Sequence, residues 1–166
     1  YLGFIESQGE EISKIAHDNG AECIVGVDPI SLGVLTPPAE YGADIACGEI
    51  QPLGIHMNYG GGCGGLIASK DKAKYVSEYP LYLTSIANTE REGEFGFGLC
   101  RPERILFMTK EKGKDFTGTT VGLWTIVAAV YLALMGPNGM RKIGEIIIQK
   151  SHYTAKLLSD INSIKI

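Results

Sequence analysis

A run of glycines, rather than a set of reactive side chains, is the segment of this sequence best suited to close contact with a ligand. Residues 60–65 read Gly-Gly-Gly-Cys-Gly-Gly, which satisfies the Gly-x-Gly-x-x-Gly spacing of dinucleotide-binding loops. In those loops the glycines follow a strand and open a helix whose N-terminus faces the pyrophosphate. Here the glycines leave a loop and enter a predicted strand. Two interpretations stay open: a tight turn alone, or a backbone that closely approaches a ligand or a partner.

Asp28 is the carboxylate in the most suggestive position. It follows the continuously apolar segment 23–27, a pattern typical of a parallel strand covered on both faces. Open α/β sheets bind ligands at this end of their strands. An aspartate there can pair with the pyridine nitrogen of pyridoxal phosphate, or it can accept backbone N–H groups in a turn. The residues alone leave both roles open.

The remaining reactive residue types form no recognisable constellation. The three histidines, at 17, 56 and 152, are scattered, and a helix-surface role is the simplest interpretation for His17 and His152. No lysine ends an apolar strand, where desolvation would activate its amine. The four cysteines, at 23, 47, 63 and 100, lack Cys-x-x-Cys pairing and metal-ligand spacing, so reduced packing residues and no metal are expected.

Helices and strands alternate along the chain, which predicts an α/β fold. A helix is expected over 10–19, with Ile12, Ile15 and Ala16 on one face and Gly20 at its end. Strands are expected over 23–27, 44–48, 65–68 and, at a sheet edge, 95–99. The remaining predicted helices are 71–79, capped by Ser69 and closed by Pro80; 119–135, stopped by Gly136; and a last helix that starts at Pro137.

Composition narrows the functional class. The 166 residues carry a formal net charge of −4, so the clustered positive charge that nucleic-acid binding needs is not expected. The apolar stretch 121–135 is shorter than the ~20 residues that span a bilayer, so no membrane segment is expected either. The reduced cysteines favour a cytoplasmic location. Because the chain opens with Tyr1 and the predicted sheet lacks leading strands, we expect a fragment of a larger protein.

Four segments resemble one protein family. They are Val27-Asp28-Pro29-Ile30-Ser31-Leu32-Gly33-Val34-Leu35, residues 42–55 (Gly-Ala-Asp-Ile through Gly-Glu-Ile-Gln-Pro-Leu-Gly-Ile), the glycine run 60–65, and residues 131–137 (Tyr-Leu-Ala-Leu-Met-Gly-Pro). This pattern resembles the first, α-type subunit of glycine dehydrogenase (decarboxylating), the P-protein of the glycine cleavage system. The likeness covers nearly the whole chain, which looks like the middle third of such a subunit.

The resemblance implies the α/β fold of type I pyridoxal-phosphate enzymes, a mostly parallel sheet with helices on both faces. It assigns residues 1–118 to the large domain, 119–136 to a bridging helix and 137–166 to the start of the small domain. In the catalytic sister subunit the corresponding strand continues into His-Lys-Thr, whose lysine forms the Schiff base. Laying Gly42-Ala43-Asp44 over that strand puts Pro52 at the lysine position. Proline has no amine, so this chain is expected to hold no covalent cofactor, and pyridoxal phosphate is expected in the sister subunit.

The same resemblance implies partners and a supporting role. Glycine loses carbon dioxide at the cofactor, and the aminomethyl group passes to the lipoyl arm of the carrier H-protein. The chain is expected to pair with the catalytic sister subunit, in a heterotetramer. Interface or active-site wall contacts are assigned to Gln51, Gly60, Gly61, Gly62 and Thr119. Asp28 matches the pyridine-pairing position of the fold.

One stretch departs from the family pattern. Where these subunits read Glu-Lys-Ala-Thr-Ser-Asn-Ile-Cys-Thr, residues 111–119 read Glu-Lys-Gly-Lys-Asp-Phe-Thr-Gly-Thr, which changes hydrogen bonding and shape before a predicted helix. Three alternatives therefore stay open: a scaffold without catalytic partner, a divergent paralogue that acts on another amino acid, and an independent enzyme whose lysine lies elsewhere.

Overall fold

The structure is a computed structural model that describes residues 5–59, 64–79, 83–100 and 121–165. In chain order the elements are α1 (Gly9–Asp18), β1 (Ile24–Val27), β2 (Ile45–Glu49), β3 (Gly65–Ser69), α2 (Ala73–Val76), β4 (Leu83–Asn88), β5 (Phe95–Cys100) and α3 (Gly122–Ser159). Two 3-10 helices, Ser31–Gly33 and Pro38–Tyr41, lie between β1 and β2. The described residues up to Ala68 and from Val121 onward form one compact unit, and those from Ser69 to Cys100 belong to another.

The first unit contains a three-stranded sheet in the order β1-β2-β3. β1 and β2 are parallel, with Ile24 beside Ile45 and Val27 beside Gly48, which confirms both predicted strands. The two faces of β1 differ: Val25 and Val27 are half-buried, whereas Ile24 is 62% exposed. One face of β1 is therefore open among the described residues, and the expectation that both faces are covered stays a prediction.

Helix α1 ends where the sequence predicts. Gly20 has φ +73°, its N–H donates to the carbonyl of His17, and the Ala21 N–H donates to that of Ala16, which together form a Schellman motif. The face that carries Ile12 and Ile15 is exposed, however, and Ser13 is the buried residue of the helix. The reason is that Ser13 lies over the start of the sheet, where a small polar side chain fits.

Helix α3 supplies most of the apolar partners of the sheet and its loops. Its Ala128 joins a buried cluster with Ile30, Ile50, Leu53 and Ile55, and five more α3 side chains pack against that cluster: Trp124, Val127, Tyr131, Met140 and Ile143. By length and composition alone α3 could also cross a membrane. The expectation of no membrane segment therefore stays a prediction.

Gly136 interrupts α3, as the sequence predicts. Its φ of +57° and ψ of −178° lie outside the helical region and in one that only glycine adopts readily, and Pro137 starts the helix again. We expect Gly136→Ala to lower the free energy of unfolding by about 1–3 kcal/mol through backbone strain, since the added Cβ would meet no atom within 4 Å. Urea denaturation measures this, with Gly122→Ala, at an open helical position, as the matched control. Equal midpoints for the two variants would contradict it.

The second unit differs from the sequence prediction in two places. The helix expected over 71–79 is one turn, Ala73–Val76, and Lys72 rather than Ser69 precedes it. Ser69 ends β3 instead, and its Oγ donates to the Lys70 carbonyl and accepts from the Tyr79 hydroxyl. The predicted strand 95–99 is confirmed as β5, but its antiparallel partner β4 was not predicted. Pro80 lies outside the described residues.

Candidate functional site at the carboxyl ends of β1 and β2

Asp28 is the first residue after β1 and lies exposed at the carboxyl end of the strand. Its Oδ1 accepts the backbone N–H of Ile30 at 2.9 Å. Its carbonyl accepts both the N–H of Ser31, at 3.0 Å, and the Ser31 hydroxyl, at 2.7 Å. Asp28 thus acts as a turn residue that starts the 3-10 helix Ser31–Gly33, and its pairing with a pyridine nitrogen stays a prediction.

Three buried aliphatic side chains hold the turn that follows β2 in place. Ile50, Leu53 and Ile55 are 6%, 3% and 6% exposed, and the Leu53 N–H donates to the carbonyl of Ile50. The side-chain amide of Gln51 donates to the carbonyl of Ile55 at 3.1 Å. Gln51, assigned by resemblance to an active-site wall, thus stabilises its own turn in this structure.

Side chains of helix α3 also pack against this turn. Gly54 has φ +83°, and a Cβ there would lie 2.9 Å from Cδ2 of Tyr131, so the ring of Tyr131 packs directly on the glycine backbone. Two residues further, the ring of His56 meets Trp124 edge-on, with 5.9 Å between centroids. Packing against α3 and the hydrogen bonds within the turn therefore set its shape together.

Pro52 lies at the exposed tip of this turn, between half-buried Gln51 and buried Leu53. Residues 49–55 contain no lysine, so no amine is available where the resemblance places the Schiff base. The turn carries a single carboxylate, Glu49, whereas general acid–base catalysis needs a proton donor or acceptor at the reacting atoms. The turn therefore offers a contact surface and its backbone groups rather than a reactive side chain.

Four of the residues that the sequence assigns to the interface or wall lie outside the described part of the chain: Gly60, Gly61, Gly62 and Thr119. The glycine run is described only at its end, where the Gly64 carbonyl accepts the N–H of Ile50. Just before the run, Tyr59 has φ +49° and is 93% exposed. The Nδ2 of Asn58 is buried with no hydrogen-bond partner among the described residues.

A polar cluster that the sequence interpretation missed lies at the opposite end of the strands. Nε2 of His17 and Oδ2 of Asp44 are 2.7 Å apart, so His17, which is 39% exposed on the helix surface as predicted, also pairs with a carboxylate that is 4% exposed. The same oxygen accepts the backbone N–H of Cys23 at 2.9 Å. Asp44 therefore joins α1, β1 and β2, a junction hidden from sequence because His17 and Asp44 lie 27 positions apart.

Two further side chains complete this junction. The Ser13 hydroxyl donates to Sγ of Cys23, a buried free thiol, at 3.3 Å. Burial raises the pKa of Tyr41, and the neighbouring Cys23 adds to that effect. Cys47 is half-buried and also free, which agrees with packing roles for Cys23 and Cys47. No group of three metal-ligating side chains occurs among the residues that the structure describes.

We expect Asp44→Ala to lower the free energy of unfolding by about 2–3 kcal/mol. This substitution leaves the buried backbone N–H of Cys23 without its hydrogen-bond acceptor and removes the carboxylate that pairs with His17. Thermal and urea denaturation measure the loss. His17→Gln is the matched control: its ring is 39% exposed, so its own loss is expected to be smaller. An Asp44→Ala protein as stable as His17→Gln would show that the carboxylate does not hold the junction together.

Comparison with known proteins places these features in context. A family model described as "Glycine cleavage system P-protein" matches residues 2–165. A protein of Staphylothermus marinus named "Probable glycine dehydrogenase (decarboxylating) subunit 1" is 39% identical over 161 residues, which cover 97% of this chain and 34% of that protein. A protein of the same name from Pyrococcus furiosus is 34% identical over 164 residues, 99% of this chain and 36% of that protein.

A solved structure agrees with the sequence matches. The chain is similar, with a TM-score of 0.82 and 35% sequence identity, to the structure titled "Crystal structure of glycine decarboxylase (P-protein) of the glycine cleavage system, in inhibitor-bound form". The similarity covers 93% of this chain and 35% of that one. The chain thus spans about a third of the length of the relatives it matches.

Proposed function

Because the chain belongs to the glycine cleavage system P-protein family, we propose that it acts as part of subunit 1 of a glycine dehydrogenase (decarboxylating). In that reaction glycine loses carbon dioxide and the remaining aminomethyl group passes to the lipoyl arm of a carrier H-protein. The subunit supports a catalytic sister subunit and does not perform the covalent chemistry itself. The names of the Staphylothermus marinus and Pyrococcus furiosus relatives, both "subunit 1", support a paired enzyme.

The turn after β2 is the observation that carries this proposal. Pyridoxal phosphate, the family's cofactor, needs an amine for covalent attachment, and residues 49–55 offer none. Pro52 lies exposed at the tip, while Oδ1 of Asp28 already accepts the N–H of Ile30. The residues present therefore do not fit a covalently held cofactor, and we assign pyridoxal phosphate to the sister subunit.

This chain's own contribution is a rigid surface. Buried Leu53 and Ile55 hold the turn, the ring of Tyr131 packs on Gly54, and Gln51 closes the turn with its side-chain amide. A neighbouring subunit that walls an active site must keep its shape while the substrate binds. We propose that this turn, with Gly60, Gly61, Gly62 and Thr119, faces the sister subunit in a cytoplasmic heterotetramer.

A second candidate rests on the altered stretch 113–118, where Gly, Lys, Asp and Phe replace the hydroxyl and amide side chains usual in the family. Such a change favours a divergent paralogue that supports decarboxylation of another amino acid. Assaying the complete enzyme against a panel of small amino acids separates the two. Glycine as the preferred substrate supports the first candidate, and a different preferred amino acid supports the second.

Borohydride reduction in the presence of pyridoxal phosphate tests the missing amine directly. We expect no cofactor adduct on the full-length subunit by mass spectrometry, while the sister subunit, treated identically, carries one on its lysine. A stoichiometric adduct on any lysine of this chain would overturn the supporting role and identify an independent enzyme.

We expect that Pro52→Lys does not create a cofactor site. A lysine at the exposed tip would have an amine, but Asp28 remains bound to Ile30 and the rest of the surroundings that a cofactor needs are not rebuilt. The same reduction experiment measures this, with Pro52→Ala as the matched control. A stoichiometric adduct at position 52 would show that the site is intact except for one residue.

A further inference from the structure

The turn that follows β2 has a buried side and an exposed side. Leu53 and Ile55 are buried and belong to the apolar cluster beneath the turn. Gly54 and His56, which alternate with them along the chain, are exposed. A molecule that binds at this turn meets the exposed side, so the contacts that hold Gly54 and His56 determine the shape it finds there.

Each of these two exposed residues lies against one aromatic side chain of α3. A Cβ at Gly54 would lie 2.9, 3.1 and 3.2 Å from Cδ2, Cβ and Cγ of Tyr131, so this side chain packs on the glycine backbone itself. The ring of His56 meets the ring of Trp124 at an interplanar angle of 68°, with 5.9 Å between centroids. Aromatic pairs favour this edge-to-face arrangement. Two aromatic contacts therefore reach the side of the turn that the buried cluster does not hold.

Trp124 and Tyr131 lie on the face of α3 that packs against the buried cluster. They are seven residues apart, about two helical turns, which places both side chains on one side of the helix. Both are half-buried, both pack against the cluster, and both precede the break at Gly136. An uninterrupted stretch of helix therefore fixes the spacing between the two aromatic side chains.

We propose that Trp124 and Tyr131 are positioning residues of the enzyme: they hold the exposed side of the turn, Gly54 and His56, where it walls the active site of the sister subunit. The inference rests on the proposed function, which makes this turn part of that wall. Neither aromatic side chain has to touch the substrate. A residue that shapes a site affects the reaction through the geometry in which the substrate is held.

Steady-state kinetics of the assembled enzyme test the proposal, with the full-length subunit in saturating excess over the sister subunit and with H-protein present. We expect Tyr131→Ala to raise the KM for glycine at least about threefold and to leave kcat within about twofold, because the wall against which glycine binds is displaced. A merely structural role gives a different pattern. Partly unfolded subunit lowers the maximal rate and leaves the KM of the folded enzyme unchanged. An unchanged KM would overturn the proposal.

Two further variants separate the ring of Tyr131 from packing in general. Tyr131→Phe keeps Cβ, Cγ and Cδ2, the atoms nearest to Gly54, and is expected to have the wild-type KM. Ile143→Ala removes packing from the same buried cluster, but on the far side of the Gly136 break, and is also expected to keep the wild-type KM. If Ile143→Ala raised the KM as much as Tyr131→Ala does, any loosening of the cluster would affect the site, and the proposal would be overturned.

A matched pair of variants tests the second ring. Trp124→Phe keeps an aromatic ring beside His56, whereas Trp124→Leu removes it. We expect Trp124→Leu to raise the KM for glycine at least about twofold and Trp124→Phe to leave it unchanged. A wild-type KM in Trp124→Leu would overturn the assignment of Trp124.

Amide hydrogen exchange of the full-length subunit measures the position of the turn without an activity assay. The N–H groups of Leu53 and Ile55 form hydrogen bonds within the turn, and that of Gly33 forms one in the 3-10 helix after β1. We expect Tyr131→Ala to speed exchange at Leu53 and Ile55 by roughly threefold or more and to leave exchange at Gly33 unchanged. Where Tyr131→Ala unfolds, Tyr131→Leu, which keeps an aliphatic side chain against the cluster, takes its place in both experiments. Unchanged exchange at the turn would overturn the proposal.

The outcomes separate this inference from the function on which it rests. Sister subunit that reaches full turnover without this chain refutes the proposed function. Sister subunit that requires this chain, but has the wild-type KM with the Tyr131→Ala subunit, refutes only the positioning role.

Discussion

Gly33→Ala is expected to destabilise the first unit by roughly 3 kcal/mol, near the upper end of what overpacking usually costs. A Cβ at Gly33 would lie 2.6 Å from both the carbonyl carbon and the carbonyl oxygen of Met140 and 3.0 Å from the backbone N of Arg141. These are backbone atoms of α3, so no side-chain rotation relieves the overlap. The helix must move away from the 3-10 helix Ser31–Gly33 and lose the packing between them.

Denaturant unfolding of the purified protein measures this loss. Gly26→Ala is the matched control, since a Cβ there meets no atom within 4 Å and the residue does not have a positive φ. A second glycine at the same crossing, Gly144, would bring its Cβ to 2.8 Å from Cγ1 of Val34. Because Val34 can adjust its rotamer, Gly144→Ala is expected to cost less than Gly33→Ala. The reverse order would show that the crossing of α3 is not as close as described.

Leu53→Ala is expected to lower the free energy of unfolding by about 3–4 kcal/mol, because it leaves a cavity in the buried cluster beneath the turn. Leu53 is 3% exposed and packs with Ile50, Ile55 and Ala128. The same change is expected to reduce the activity of the assembled enzyme at temperatures where the variant is still folded, since the turn loses its anchor.

Pro52→Ala, at the neighbouring position, separates the two effects. Pro52 is exposed, so the change is expected to leave stability within about 0.5 kcal/mol of the wild type. Denaturation and turnover of the assembled enzyme are measured on the same preparations. A Leu53→Ala protein with wild-type stability would contradict the packing described here, and full activity despite a destabilised turn would contradict its role as a wall.

Short sequence patterns predicted those parts of the fold that depend on residues close together in the chain. The αL glycine at position 20 ends α1, the apolar runs become parallel strands, and Gly136 with Pro137 breaks α3. The comparisons confirm the family and the α/β fold of type I pyridoxal-phosphate enzymes that the resemblance implied. The assignment of residues 1–118, 119–136 and 137–166 to a large domain, a bridging helix and a small domain stays a prediction.

Features that depend on contacts between residues far apart in the sequence could not be predicted from such patterns. Ser69 has the residue type of a helix cap, but it is the last residue of β3. β4 mixes polar and apolar residues, and only its pairing with β5 identifies it as a strand. His17 and Asp44 meet through the packing of α1 against the sheet. The acidic residue Asp28 was identified from sequence, but its hydrogen bond to Ile30 N–H required the three-dimensional turn.

We propose that this chain supplies surface to a partner subunit that carries the reactive lysine. Release of labelled carbon dioxide from carboxyl-labelled glycine, with H-protein present, tests it most directly. Sister subunit alone is compared with sister subunit plus one equivalent of the full-length protein. We expect near-background release without this subunit and full release with it. Equal turnover in both reactions would show that the sister subunit needs no surface from this chain.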